Sequence, residues 1–303
     1  MREQNEQPTT NNEQPTTNNE QPTTNNRNNP SILSTIDQLN REVHIPFPPK
    51  RIVSLVPSQT ELLFDLGLRE EVVGITKFCV HPEQWFRQKK RVGGTKNLNI
   101  EAIAALQPDL LIGNKEENER WQIEALEALY PVWMSDVQNL EEAEEMIRRI
   151  GELVGKLPEA EKLVSEIRQS FESLEPPAAF RTAYFIWREP YMVAAAETFI
   201  NDLLVRAGFS NVFGNLKRYP EVDMAMIRDA APEVILLSSE PYPFQEKHVE
   251  ELRNHCPNAA ICLADGELFS WYGSRLTRSA TYFRNLHHKL AVELASGIEF
   301  DKL

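Results

Sequence analysis

Short apolar runs alternate with longer amphipathic stretches through most of this chain, and that rhythm predicts strand–helix–strand units. Residues 52–56 (IVSLV) are almost wholly apolar, as expected of a short strand buried on both faces. Ser58-Gln59-Thr60-Glu61 reads as a capping box at the start of a helix. Leu62, Leu63 and Leu66 share one face of that helix, and Gly67 suits the left-handed turn that ends it. Residues 72–76 form a second apolar run. Asn99 is placed to cap a further helix, Pro108 follows its end, and residues 110–113 form a third strand.

The same order returns later in the chain. Residues 182–187 read as a strand, 198–207 as a helix ended by Gly208, 224–230 as a helix, and 234–237 and 261–264 as strands. Leu106-Gln107-Pro108-Asp109 is echoed by Ala230-Ala231-Pro232-Glu233, each between a helix and a strand. Between the halves, residues 139–174 are helical with a break near Pro158, and Ala160, Leu163, Val164, Ile167 and Phe171 form a stripe on the second piece. Glu175-Pro176-Pro177 ends it. Residues 32–49 read as a lead-in strand or hairpin, and 279–295 as a closing helix. The fold class is α/β: two Rossmann-like lobes with parallel sheets. The boundaries fall at 1–31 for a tail, 32–138 for the first lobe, 139–177 for the helical region and 178–303 for the second lobe.

The motifs RIVSLVPSQTELLFDLGL, VVGIT and NLNIEAIAALQPDLLIG, with ETFINDLLVRAGFSNVF, YPEV and APEVILLSS in the second half, carry a family resemblance. The chain resembles the periplasmic metal-chelate binding proteins of ABC importers, whose two lobes are joined by one long interlobe helix. Within that family it is most similar to the vitamin B12 (cobalamin) binding group. The resemblance covers residues 49–294 and implies a chelate held in an interlobe cleft, with cobalamin or another corrinoid first and a ferric siderophore or haem as the alternative; a cytoplasmic corrinoid carrier or sensor is the other alternative. It implies no intrinsic cofactor and no catalysis, and ABC permease and ATPase subunits as partners of a monomer. By resemblance, Phe78, His81 and Thr95 form the first lobe's wall, and Trp187, Tyr191, Met192 and Tyr219 the second lobe's. Asn114 stands where the cobalamin binders carry an aromatic residue, and Tyr219 replaces a tryptophan. Glu101 matches the glutamate that docks on the permease; its counterpart in the second lobe aligns with Ala225, with Glu221 or Asp223 as substitutes.

In open parallel sheets, ligands lie beyond the carboxyl ends of the strands, which places these residues on cleft loops. The loops are rich in rings, including Trp271 and Tyr272, and rings suit a broad amphiphilic ligand. Arg275, with Lys77, Lys115, Arg188 and Arg218, is expected to make the cleft mouth basic. Filling of the lobe cores and solvated surface charge are the plain alternatives for these rings and bases.

Composition narrows the function. The formal net charge is −13, which argues against nucleic acid. Cys79, Cys256 and Cys262 are too few for a disulfide framework or a zinc site. A thiol enzyme would need Cys79 and His81, with nothing in the sequence to orient them. His287-His288 is expected as a surface pair, since adjacent helical residues diverge by about 100°. No bare-metal site is expected. Residues 6–26 are three copies of Glu-Gln-Pro-Thr-Thr-Asn-Asn, a polar repeat expected to be disordered. It has no apolar export segment, so the chain as written reads as cytoplasmic, with a periplasmic location as the alternative that the family implies.

Overall fold

A computed structural model describes residues 31–174 and 179–296; the repeat tail and Glu175-Pro176-Pro177 lie outside the described residues. An antiparallel hairpin of β1 (Ser31–Ile36) and β2 (Glu42–Phe47) opens this part of the chain. The first lobe then runs β3 (Ile52–Ser54), α1 (Pro57–Asp65), β4 (Val72–Ile75), α2 (Glu83–Gln88), β5 (Lys90–Arg91), α3 (Ile100–Ala105), β6 (Leu110–Asn114), α4 (Arg120–Glu127) and β7 (Val132–Ser135). Its five strands pair in parallel in the order β5-β4-β3-β6-β7. Every residue of β3, β6 and β7 is buried, which is why these runs lack the alternation of a half-exposed strand.

Two helices follow, α5 (Leu140–Leu153) and α6 (Leu157–Glu172). The break falls at residues 154–156 and not at Pro158, which sits in the first turn of α6. There the missing N–H of proline costs nothing, because first-turn amides have no intrahelical acceptor. Ala160, Val164, Ile167 and Phe171 are the buried stripe of α6. The helix packs on α5 and on the last helix, and at about 1.5 Å per residue it is long enough to carry the chain from one sheet to the other.

The second lobe comprises β8 (Phe180–Trp187), β9 (Met192–Val193), α7 (Phe199–Arg206), β10 (Phe209–Asn211), α8 (Met224–Ala230), β11 (Val234–Ser238), α9 (Glu246–His255), β12 (Ala260–Ala264), α10 (Gly266–Ser270) and α11 (Leu276–Ser296). Its parallel order is β10-β8-β11-β12, with β9 antiparallel on β8. The internal echo holds at atomic detail. Asp109 accepts the backbone N–H groups of Lys50 and Arg51 while Arg51 Nε donates to the Leu106 carbonyl. Glu233 accepts the N–H of Arg181 while the Arg181 guanidinium donates to the carbonyls of Ala230 and Ala231. Gln107 and Ala231 both take positive φ, 46° and 43°. Each lobe thus ties the end of the helix before one inner strand, β6 or β11, to the start of its neighbour, β3 or β8, by the same device.

Two expectations about local structure need correction. Val56 takes the cap position of α1, without a side-chain hydrogen bond, because Pro57 already sits in the first turn. Ser58 and Glu61 therefore lie inside the helix and form no capping box. His287 is no surface residue: it is 4% exposed and stacks on Phe180 with ring centroids 4.6 Å apart.

Candidate functional site

In each lobe the order of strands reverses beside one strand, β3 in the first and β8 in the second. The crevices at those switch points lie beyond the carboxyl ends of β3 and β6, and of β8 and β11. The turns after β6 and β11 are built by short polar side chains. Asn114 is buried, donates to Ser135 Oγ at 2.9 Å, and accepts the N–H groups of Glu116 and Glu117 at 2.8 and 3.2 Å. An asparagine that hydrogen-bonds its own following backbone makes a tight turn. Here it sets the Glu116 carboxylate at the crevice, facing the second lobe. On the other side, Ser238 donates to the Glu240 carbonyl at 2.5 Å, and Tyr184 donates to Ser238 at 3.1 Å. The Glu240 carboxylate accepts Ser270 Oγ at 2.7 Å and Trp271 Nε1 at 2.9 Å.

These turns meet residues of the opposite lobe. Glu116 accepts the Tyr219 hydroxyl at 3.2 Å and pairs with Arg218. The Gly273 backbone passes so close to α1 that a Cβ there would lie 2.9 Å from the Ser58 carbonyl. Arg275 grips Glu61 of α1 through two parallel hydrogen bonds of 2.9 and 2.8 Å and also pairs with Glu267. His81 reaches Glu267 at 3.3 Å and packs edge-on against Trp271 at 5.7 Å. His81, Trp271 and Arg275 are thus brought together.

The remaining expected wall residues divide. Phe78 is 51% exposed and Trp187 40% exposed, on the loops after β4 and at the end of β8. Tyr191 is half-buried, donating to Glu251 at 2.9 Å. Met192 is half-buried and bridges to Glu221. Thr95 is buried, with its carbonyl accepting Asn118 Nδ2 at 3.1 Å. Glu101 is exposed in the first turn of α3, at a surface depression that it shares with Gly93 and residues 97–100. Asp223 is exposed but uses Oδ1 to cap α8, accepting the Met226 N–H at 2.8 Å.

The expected basic mouth is largely cancelled, because four of its five bases are paired with carboxylates. Arg275 is 6% exposed and held between two glutamates. Arg188 pairs with Glu189 and Glu251, Arg218 with Glu116, and Lys115 with Asp136; Lys77 lies over the Phe78 ring. Sequence reasoning missed the acids Glu116, Glu117, Glu240 and Glu267 that take the bases' place. The signal was present at Asn114, a turn-former at a strand end, two residues before Glu116 and Glu117.

Electrostatics mark two of these acids. Burial pushes the Glu117 carboxyl up to about 7, reinforced by the charges of Glu240 and Glu116 and opposed by Lys96. Burial raises Glu240 as well, against the hydrogen bond from Ser270. Glu117 releases its proton near 4.5 in the unfolded chain and near 7 when folded. Folded protein therefore binds more protons across that window, and stability falls as pH rises through it. Urea melts at about pH 5 and about pH 8 should show Glu117→Gln flattening this part of the stability curve; an unchanged curve would refute the assignment. Cys79 is fully buried, and desolvation raises its thiol, against hydrogen bonds with Thr60 and Thr76. A thiol in that state is no nucleophile.

Two switch-point crevices bridged by side chains from both lobes define a class: a two-lobe solute-binding protein. The periplasmic binding protein family matches residues 52–260, and the chain belongs to that family, one of binding proteins and not of enzymes. The vitamin B12-binding protein of Vibrio campbellii is 26% identical over 197 residues, 63% of this chain and 71% of that protein. Among solved structures, the periplasmic vitamin B12 binding protein of Vibrio cholerae shares the fold with a TM-score of 0.67 and 21% identity, over 81% of this chain and 99% of that one. The apo periplasmic haem-binding protein RhuT from Roseiflexus sp. RS-1 does so at 0.68 and 20%, over 81% and 99%. These comparisons support the periplasmic alternative and give no support to the cytoplasmic reading.

Proposed function

We propose that this protein captures a metal chelate between its lobes, a corrinoid before a haem or a ferric siderophore, and delivers it to an ABC permease from outside the cytoplasm. The observation that carries the reading is the pairing of two parallel-sheet switch points across one crevice, with exposed or half-buried rings at Phe78, Trp187, Tyr191 and Tyr219 on the loops around it. Rings give broad apolar contact at low rotamer cost, which suits a flat macrocycle. His81, Thr95, Met192 and Trp271 complete the walls of this reading, while Arg275 serves it by holding the lobes in register. The vitamin B12-binding relatives favour the corrinoid. Neutralised bases weigh against propionates and other anionic groups, since a charge already paired has little left for a ligand. Glu101 is the exposed acid for permease docking, with Asp223 on the second lobe. Titrating purified protein with cyanocobalamin, haemin and a ferric hydroxamate should give a dissociation constant well below about 10 μM for the corrinoid. Failure of all three to bind below that level would end the chelate reading.

A further inference from the structure

We propose that Glu116 is a specificity-determining residue of the crevice: it occupies the Arg218 guanidinium from within the protein and so shuts out ligands whose rim carries carboxylates. The inference rests on the chelate reading above and adds the rim chemistry that the crevice refuses.

The contact is built from both lobes. Glu116 sits on the turn after β6, where its N–H donates to Asn114 Oδ1 at 2.8 Å and its carbonyl accepts Lys96 Nζ. From there its carboxylate reaches the second lobe. Oε2 accepts the Tyr219 hydroxyl at 3.2 Å, and Oε1 forms an ion pair with Arg218 Nη2. Oε1 is buried and makes no aligned hydrogen bond, so charge holds this pair and not a fitted fork. Arg218 is fixed independently of Glu116. Its Nη1 donates to the Glu197 carbonyl at 3.0 Å. Its backbone is left-handed, with φ 62°, and is pinned on both sides: its N–H donates to the Ala196 carbonyl at 2.7 Å and its carbonyl accepts the Ala195 N–H at 2.9 Å. A residue other than glycine keeps that conformation only where its surroundings enforce it. The guanidinium is therefore aimed before any ligand arrives, and Glu116 takes the nitrogen that a ligand carboxylate would need.

An anionic rim can reach Arg218 only by displacing Glu116. That leaves a carboxylate whose side chain is 20% exposed without its cation and beside a second negative charge, a costly exchange. A rim of neutral amides needs no exchange, because its N–H groups can donate to Glu116 while Arg218 stays paired. Selection here works by a repulsive element as well as by attractive contacts. Removing the charge of Glu116 should turn the same place into an anion site, since Arg218 keeps its hold on the Glu197 carbonyl.

The test is calorimetric titration of the full chain with two probes: cyanocobalamin, whose rim carries primary amides, and haemin, whose rim carries propionates. Glu116→Gln keeps the size of the side chain and an acceptor for Tyr219. It should shift the ratio of the two affinities toward haemin by at least about tenfold. Adding Arg218→Gln to that variant should abolish the shift, a dependence that a merely structural role for Glu116 would not produce. Glu116→Asp withdraws the carboxylate by one methylene and should shift the ratio in the same direction by a smaller factor; it serves as the second variant if Glu116→Gln fails to fold. A ratio unmoved in the folded variants, or a shift that survives the loss of Arg218, overturns the role of Glu116 and leaves the chelate reading standing. Binding of neither probe by wild type or by any variant overturns both.

Discussion

Replacing Arg275 by alanine should lower the folding free energy by about 3–5 kcal/mol, because it strips one buried cation from two carboxylates at once. For a domain of this size that is a drop in melting temperature of roughly 10 °C. The Arg275 and Glu61 side chains are 7% and 11% exposed, so solvent cannot replace what is lost. Glu61→Ala should cost less, since Arg275 then keeps Glu267, whereas Arg275→Ala leaves Glu61 only the exposed guanidinium of Arg278. The order of the two variants carries the argument. Equal losses, or a loss under about 1 kcal/mol for Arg275→Ala, would show that the lobes are held by something other than this pair. Because Glu61 belongs to α1 and Arg275 to the loop before α11, the loss should come with weaker ligand binding, as the two sides of the crevice lose their register.

That pair also explains what the sequence could and could not disclose. Strands β3, β6, β8 and β11 were legible because burial on both faces leaves unbroken apolar runs, and the two helix–Pro–acid–strand segments were legible because local geometry demands them. Helix caps at Asn99 and Thr198 follow the same local rule. Glu61 escaped it. Three residues after Ser58, it looked like a capping partner, but Pro57 starts the helix earlier and Glu61 turns its carboxylate toward a guanidinium 214 residues away. The basic mouth failed for the same reason. Arg218 finds Glu116 and Arg188 finds Glu251, partners brought close by the fold and invisible to spacing. Among site residues, rings on loops could be named because loops are local, while the Glu116–Tyr219 and Glu61–Arg275 contacts need both lobes in place.

Phe269 should prove the most sensitive single position behind the crevice. It is fully buried in α10, with ring centroids 5.0 Å from Tyr184, 4.5 Å from Phe283 and 6.2 Å from Tyr282. It therefore fills the space between the second sheet and α11. Removing the ring leaves a cavity that three rigid neighbours cannot close, at a cost of about 3–5 kcal/mol for Phe269→Ala. The effect should not stop at stability. Tyr184 supports Ser238, which shapes the turn that carries Glu240, and Ser270 and Trp271 next to Phe269 hold the Glu240 carboxylate. A ring lost at Phe269 loosens both supports of one acceptor. Phe269→Leu, which fills most of the space, should recover the greater part of stability and of corrinoid affinity together. Urea melts and titrations on the two variants check this: if affinity stays at the wild-type level in a folded Phe269→Ala protein, Glu240 is positioned independently of the core beneath it.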